Sequence, residues 1–161
     1  MGSIIGTAGS AQKCELAREY GASHVINYRE ENFQKKVVEI TEGRGVRVVY
    51  DSIGKDTFMD SLACLRPLGM MVSFGNASGP VPAFEPALLA KMGSLFLTRP
   101  TLFHYTARRA DLLAMADELF AVVAAGQVRI SVNQRYPLKD AALAHAALEA
   151  RRTTGSTVLI P

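Results

Sequence analysis

The chain has 161 residues and a formal net charge of +3, set by 18 Lys and Arg against 15 Asp and Glu. Hydrophobic residues make up 48% and charged residues 20%, the balance of a soluble globular protein with material for one sizeable core. The cations are scattered rather than blocked, which argues against nucleic acid and weakly for a small anionic ligand, and there is neither a secretory pattern nor an apolar run near the ~20 residues of a membrane span.

Ile4-Ile5 opens a strand that runs into Gly6-Thr7-Ala8-Gly9-Ser10. A helix follows with Lys13 in its first turn, Gly21 ends it, and Val25-Ile26 begins a second short strand. Phe33, Val37 and Ile40 recur at helical spacing, which predicts a helix over 30–40 broken by Gly43 and Gly45. Val46 to Tyr50 reads as a strand, Asp51-Ser52-Ile53-Gly54 as its turn, and Asp56 as the N-cap of a helix to about Leu65. Met70 to Phe74 is apolar on both faces, as a buried parallel strand should be. A Gly/Ser/Pro-rich loop over 75–82 leads to a short helix at 86–91 and a strand at 94–99. Thr106 is placed to cap a long helix over 108–125 that Gly126 terminates. A strand at 129–132, an Ala-rich helix at 140–151 and a strand at 157–160 complete the chain. Cys14 and Cys64 read as small core residues of a reducing cytoplasm, outside any metal-type cluster.

This alternation predicts an α/β fold, a Rossmann-like parallel sheet with helices on both faces. Ligands of such sheets sit at the carboxyl ends of the strands, which directs attention to residues 7–13, 28, 51–54, 74–79 and 99–101. In a dinucleotide fold an acid after the second strand takes the ribose hydroxyls of NAD, and a neutral residue with a nearby cation accommodates the phosphate of NADP. Here Gly-Thr-Ala-Gly-Ser carries no acid. Ser10 and Lys13 suit a phosphate at a helix N-terminus; equally, Ser10 is a cap and Lys13 a solvated lysine. Tyr28 is either a partner for the adenosine end or a half-buried core tyrosine. Asp51 and Ser52 are either ligand residues or turn chemistry. Phe74-Gly75-Asn76 offers backbone access to a flat ring and an amide for a carboxamide, or is a plain loop. His24, His104 and His145 are far apart with no metal-type spacing, and no catalytic set emerges.

Five stretches together resemble one family: "IIGTAGSAQKCELAREYGASHVINYREENF", "VVYDSIGKDTF", "MVSFGNASGPV", "GSLFLTRPTL" and "YPLKDAALAHAALEARRTTGSTVLIP". They are similar to the zeta-crystallin-like quinone oxidoreductases, the zinc-free branch of the medium-chain dehydrogenase/reductase superfamily. The resemblance covers essentially the whole chain. It implies NADPH as cofactor and a quinone, or another activated carbonyl or enone compound, as substrate. It also implies that Ser10 and Lys13 meet the 2′-phosphate, Tyr28 the adenine ribose and Ser52 the adenosine. Phe74, Gly75, Asn76, Arg99 and Pro100 would line the nicotinamide side, and Arg151 would contact the cofactor from the last helix. No catalytic residue is implied.

The chain departs from this family in length. Members are about twice as long, with a GroES-like catalytic domain and a first Rossmann strand carrying an Ala-Gly-Gly-Val-Gly-type turn, so the sequence reads as a C-terminal fragment. It divides on this reading into a partial dinucleotide-binding domain, 1–126, and a segment, 127–161, that packs on the catalytic domain in the family. The strands at 4–7 and 46–50 lose their shared neighbour, and each unpaired buried donor or acceptor costs about 1–3 kcal/mol. The expected outcomes are a closed gap, a gap filled by another copy, or a divided sheet. With the family's edge strand at 94–98 and the apolar Leu143, Leu148, Val158 and Ile160, this favours a homo-oligomer, a dimer first. The alternative function is a truncated, non-catalytic oligomeric module with weak or no nucleotide binding.

Overall fold

Ser10 and Asn32 start the first two helices by accepting hydrogen bonds from amides that have no partner inside the helix. Ser10 Oγ accepts from the Lys13 N–H at 3.3 Å and Asn32 Oδ1 from the Lys35 N–H at 2.8 Å. Helix α1 therefore spans Ala11–Glu19 and α2 spans Phe33–Ile40, three residues later than its periodicity suggests. The structure, a computed structural model, describes residues 2–161. They form two compact units, one ending at His104 and the other running from Tyr105 to Pro161.

In the first unit β1 (Ile5–Ala8) pairs in parallel with β2 (His24–Asn27), from Ile5 opposite His24 to Ala8 opposite Asn27. A second parallel sheet has the order β3 (Val46–Asp51), β4 (Leu65–Ser73), β5 (Phe96–Thr98). Helix α3 (Phe58–Ala63) connects β3 to β4, and α4 (Ala87–Lys91) precedes β5. Among the described residues β1 and β3 do not pair, and the strands of the first unit form two separate sheets. Apolar packing holds the two sheets together instead. Ile26 of β2, Val37 of α2 and Cys64 are buried in one cluster, against which Ile5 of β1 and Val46 and Val49 of β3 pack. A larger cluster of Phe58, Leu62, Leu65, Met71 and Leu95 fills the space between α3, β4 and the approach to β5, with Val46 and Val49 touching it as well.

Strand β4 begins at Leu65 rather than Met70. Val46 faces Leu65 and Val48 faces Met70, so the intervening residues bulge out of the ladder. Leu68 sits there at φ 59° and donates its N–H to Gly93 O at 2.8 Å. Pro67 and Gly69 punctuate this bulge and do not end the strand. At the start of α3, Thr57 and not Asp56 occupies the N-cap position, and the Asp56 N–H donates to Ser78 Oγ at 3.0 Å.

The short helix α5 (Leu102–Tyr105) lies at the boundary of the units. The second unit holds α6 (Arg109–Ala124), β6 (Val132–Pro137), a 3₁₀ turn (Leu138–Asp140), α7 (Ala141–Glu149) and β7 (Ser156–Ile160). Strands β6 and β7 pair in parallel, from Val132 opposite Ser156 to Pro137 opposite Ile160. β6 thus starts where the sequence pattern ended it, because a polar run, Asn133-Gln134-Arg135, is recruited by its partner strand. Arg108 stands at the N-cap of α6, and Arg108 and Asp111 pair at 2.7 Å one turn apart. Leu143, Leu148 and Ile160 are exposed and Val158 is half-buried.

Met71 is fully buried in the larger cluster, so Met71→Ala should cost about 2–5 kcal/mol of unfolding free energy in chemical denaturation. Met59→Ala, on the exposed side of α3, should stay within about 0.5 kcal/mol.

Candidate functional site

The carboxyl end of β3 is organised by a buried carboxylate. Asp51 is 4% exposed. Its Oδ1 accepts from the Ile53 N–H at 2.7 Å and the Gly54 N–H at 3.0 Å, and its Oδ2 accepts from Thr57 Oγ1 at 2.7 Å and Ser61 Oγ at 2.8 Å. Burial alone pushes the carboxyl pKa up, but the bonds from Gly54, Thr57, Ser61 and Ile53 together outweigh it and hold the group below its ordinary value. Asp51 is therefore ionised at neutral pH, with both oxygens engaged inside the protein.

The β3–α3 turn fixed in this way is the floor of the next loop. Asp51 O accepts from the Phe74 N–H at 2.8 Å, Ser52 O from the Ala77 N–H at 3.1 Å and Ile53 O from the Ser78 N–H at 2.8 Å. Ser78 Oγ also donates to Ile53 O at 2.9 Å, and the Lys55 N–H donates to Gly79 O at 3.1 Å. Gly75 lies so close to this floor that a Cβ there would overlap the main chain of Ser52. The missing side chain serves loop-on-loop contact, leaving Phe74 and Asn76 exposed beside it. From the β5 side, Arg99 donates through Nη1 to Ser73 O at 2.8 Å, and Pro100 follows half-buried. The structure thus brings Ser52, Phe74, Gly75, Asn76 and Arg99 into one patch at the ends of β3, β4 and β5.

A second group stands at the β1–α1 turn. Ser10 is both a helix cap and half-buried at the turn, with Lys13 in the first turn of α1. Tyr28, just after β2, crosses over the same turn. Its hydroxyl oxygen lies 2.5 Å from where a Gly9 Cβ would stand, so the absence of a side chain at Gly9 admits the ring. The Tyr28 N–H donates to Ala8 O at 3.1 Å, which ties the end of β2 to the end of β1. Arg151 lies in the second unit, just past α7, at φ 57°.

The sequence alone leaves Asp51 between ligand and turn roles and assigns Ser78 none. The signal for Asp51 is the polar set Asp51, Thr57, Ser61, whose spacing places two hydroxyls on the helix face that looks back at the strand end; Ser78 meets its partners Asp56 and Ile53 across more than twenty positions, and no local pattern marks it. Burial pushes the Cys64 thiol up to about 11, with Asp60 adding to it, so this is an unreactive core thiol. Among the described residues no helix is long and apolar enough to cross a membrane.

The family model described as "Zinc-binding dehydrogenase" matches residues 20–159. A quinone oxidoreductase of Pseudomonas aeruginosa is 52% identical over 158 residues, covering 98% of this chain and 49% of that protein. A 2-haloacrylate reductase of a Burkholderia species is 47% identical, covering 98% and 48%. The crystal structure of Escherichia coli quinone oxidoreductase complexed with NADPH superposes with a TM-score of 0.94 at 50% identity, covering 99% of this chain and 49% of that one. The chain spans about half the length of the curated relatives it matches, their C-terminal half. Among the described residues no group of three or more His, Cys, Asp or Glu side chains is placed to hold a metal ion, so the residues present do not fit zinc.

Two outcomes follow from the turn geometry. Gly75→Ala should destabilise by about 1–3 kcal/mol because backbone must move to admit the methyl group. Gly6→Ala, where the nearest atom stands at 3.7 Å, should change little in the same denaturation assay. Asp51→Asn should be less stable than wild type at neutral pH. A carboxyl with a depressed folded pKa contributes fully above its ordinary value of 3.8 and loses that contribution as pH falls through the lower folded value. The gap between the two proteins should therefore narrow below pH 3.8 in acid-denaturation curves.

Proposed function

The chain belongs to the zinc-binding dehydrogenase family, and from that premise we propose that it is the NADPH-binding portion of a quinone oxidoreductase. The observation that carries this reading is the β1–α1 turn. It has no carboxylate to repel a phosphate, a hydroxyl at the N-cap of a nine-residue helix, and a lysine one turn in. That donor set fits the phosphorylated ribose of NADPH and lacks the acid that selects NAD.

Ser10 and Lys13 hold the 2′-phosphate, Tyr28 flanks the adenine ribose and Ser52 the adenosine. Phe74, Gly75 and Asn76, with Arg99 and Pro100, form the wall against the nicotinamide. When bound, NADPH supplies a hydride to an electron-poor acceptor, for which a quinone is the class that the names of these relatives suggest. The haloacrylate relative extends this class to activated alkenes. The chain's own contribution is placement: Phe74 screens one face of the site from water while main-chain groups and Asn76 orient the ring.

A second reading, a non-catalytic oligomeric module, is favoured by the unpaired facing edges of β1 and β3 and by exposed Phe96 and Leu97 on β5. A homodimer in the cytoplasm is compatible with either reading. Light scattering at micromolar concentration should give more than one chain per particle, and a monomer contradicts the oligomer. NADPH oxidation with a simple quinone separates the two readings: turnover supports the enzyme, and binding without turnover the module.

Lys13→Ala should weaken NADPH roughly tenfold, the worth of one charge-assisted hydrogen bond, and leave NADH nearly unchanged in calorimetric titration. Equal losses for the two cofactors contradict the phosphate role.

A further inference from the structure

We propose that Asp51 is a positioning residue for the cofactor wall: it touches no ligand, and it fixes the β3–α3 turn as the template on which Phe74 to Asn76 are laid. This rests on the NADPH reading above.

Three observations carry it. First, the Asp51 carboxylate is enclosed and accepts four hydrogen bonds, which leaves neither oxygen for a substrate or a cofactor. Second, the amides of Ile53 and Gly54 point at Asp51 while the carbonyls of the same two peptide planes, those of Ser52 and Ile53, accept from Ala77 and Ser78. In a turn each peptide plane has one orientation, so fixing the amides on one side fixes the carbonyls presented on the other. Third, Gly75 packs against the Ser52 main chain with no slack, so a displaced turn must displace the loop. Arg99 holds the start of that loop from the opposite side through Ser73 O. Phe74 and Asn76, both exposed, thus project from a base held at two edges, which is the preorganisation that a bound ring requires.

The test compares wild type with Asp51→Asn, and with Thr57→Val, which deletes one of the four donors. Amide hydrogen exchange is measured without cofactor, and NADPH and NADH are then titrated into the same samples. In Asp51→Asn the amides of Ala77 and Ser78 should exchange roughly tenfold faster, as the loss of about one hydrogen bond's stabilisation implies, while the Cys14 amide of α1 is unchanged. NADPH and NADH affinities should fall by the same factor, unlike the selective loss in Lys13→Ala. Thr57→Val should show the same pattern with a smaller amplitude, and it decides the matter if Asp51→Asn does not fold. Faster exchange confined to Ile53 and Gly54, a uniform rise through α1 and both loops, or unchanged cofactor affinity alongside a loosened 77–78 segment each overturns the proposal. Wild type that binds neither cofactor overturns the functional reading, and this proposal with it.

Discussion

A carboxylate removed from water is costly unless each of its oxygens has donors, and at the end of β3 Asp51 meets that condition with two main-chain amides and two hydroxyls. The arrangement joins three levels of the structure. Along the chain it closes the β3–α3 turn. In the core it brings Thr57 and Ser61, and with them α3, down onto the strand, so that Phe58 and Leu62 reach the cluster around Met71. At the surface it sets the carbonyls on which the β4 loop rests. A single charged group thus links apolar packing below the sheet to polar geometry at its edge.

The two halves of the candidate site use different physics. The patch at β3, β4 and β5 is main chain laid on main chain, with glycine at the point of closest approach, and its shape is set before any ligand arrives. The β1–α1 turn contributes charge and a helix terminus. Ser10 accepts from the Lys13 amide through its hydroxyl oxygen, and that hydroxyl still has a proton to donate. The Tyr28 ring against Gly9 joins the ends of β1 and β2. One patch offers a surface for a flat ring and the other a cationic corner for a phosphate, as a cofactor with both parts demands. Separation of β1 from β3 leaves each patch intact, because each is built within its own sheet and the shared Ile26–Val37–Cys64 cluster holds the sheets in one unit.

Much of this was legible in the sequence because local signals and tertiary demands agree. Ser10 and Gly21 bracket α1, and Val46 to Tyr50 is strand by pattern and by pairing. The strand-end rule located both patches without coordinates. The failures have physical causes. The helix expected to run to about Leu65 ends at Ala63, and β4 begins at Leu65 rather than Met70, because Pro67 and Gly69, which suit the close of a helix, sit in a bulge that the partner strand bridges. β6 is polar and ends in proline, so only its pairing with β7 marks it as a strand. Asp56 has the chemistry of a cap, but the helix start is governed from outside by Asp51, whose bond from Thr57 spans six positions of sequence. The close approach of the Ser52 main chain to Gly75 is a further contact that the sequence does not announce. No single-sequence pattern reports which side of a glycine another loop will occupy.

As proposed above, the strand-end patches of this chain hold NADPH, the phosphate at one and the nicotinamide at the other. The most direct measurement of this is a nuclear magnetic resonance titration of the nitrogen-labelled chain with NADPH, followed at the backbone amides. Shifts are expected at Gly9 to Lys13, at Tyr28, at Ser52 and at Phe74 to Asn76, with NADH reproducing all but those at Gly9 to Lys13. A spectrum unchanged at saturating NADPH, or shifts confined to residues 132–161, would contradict it.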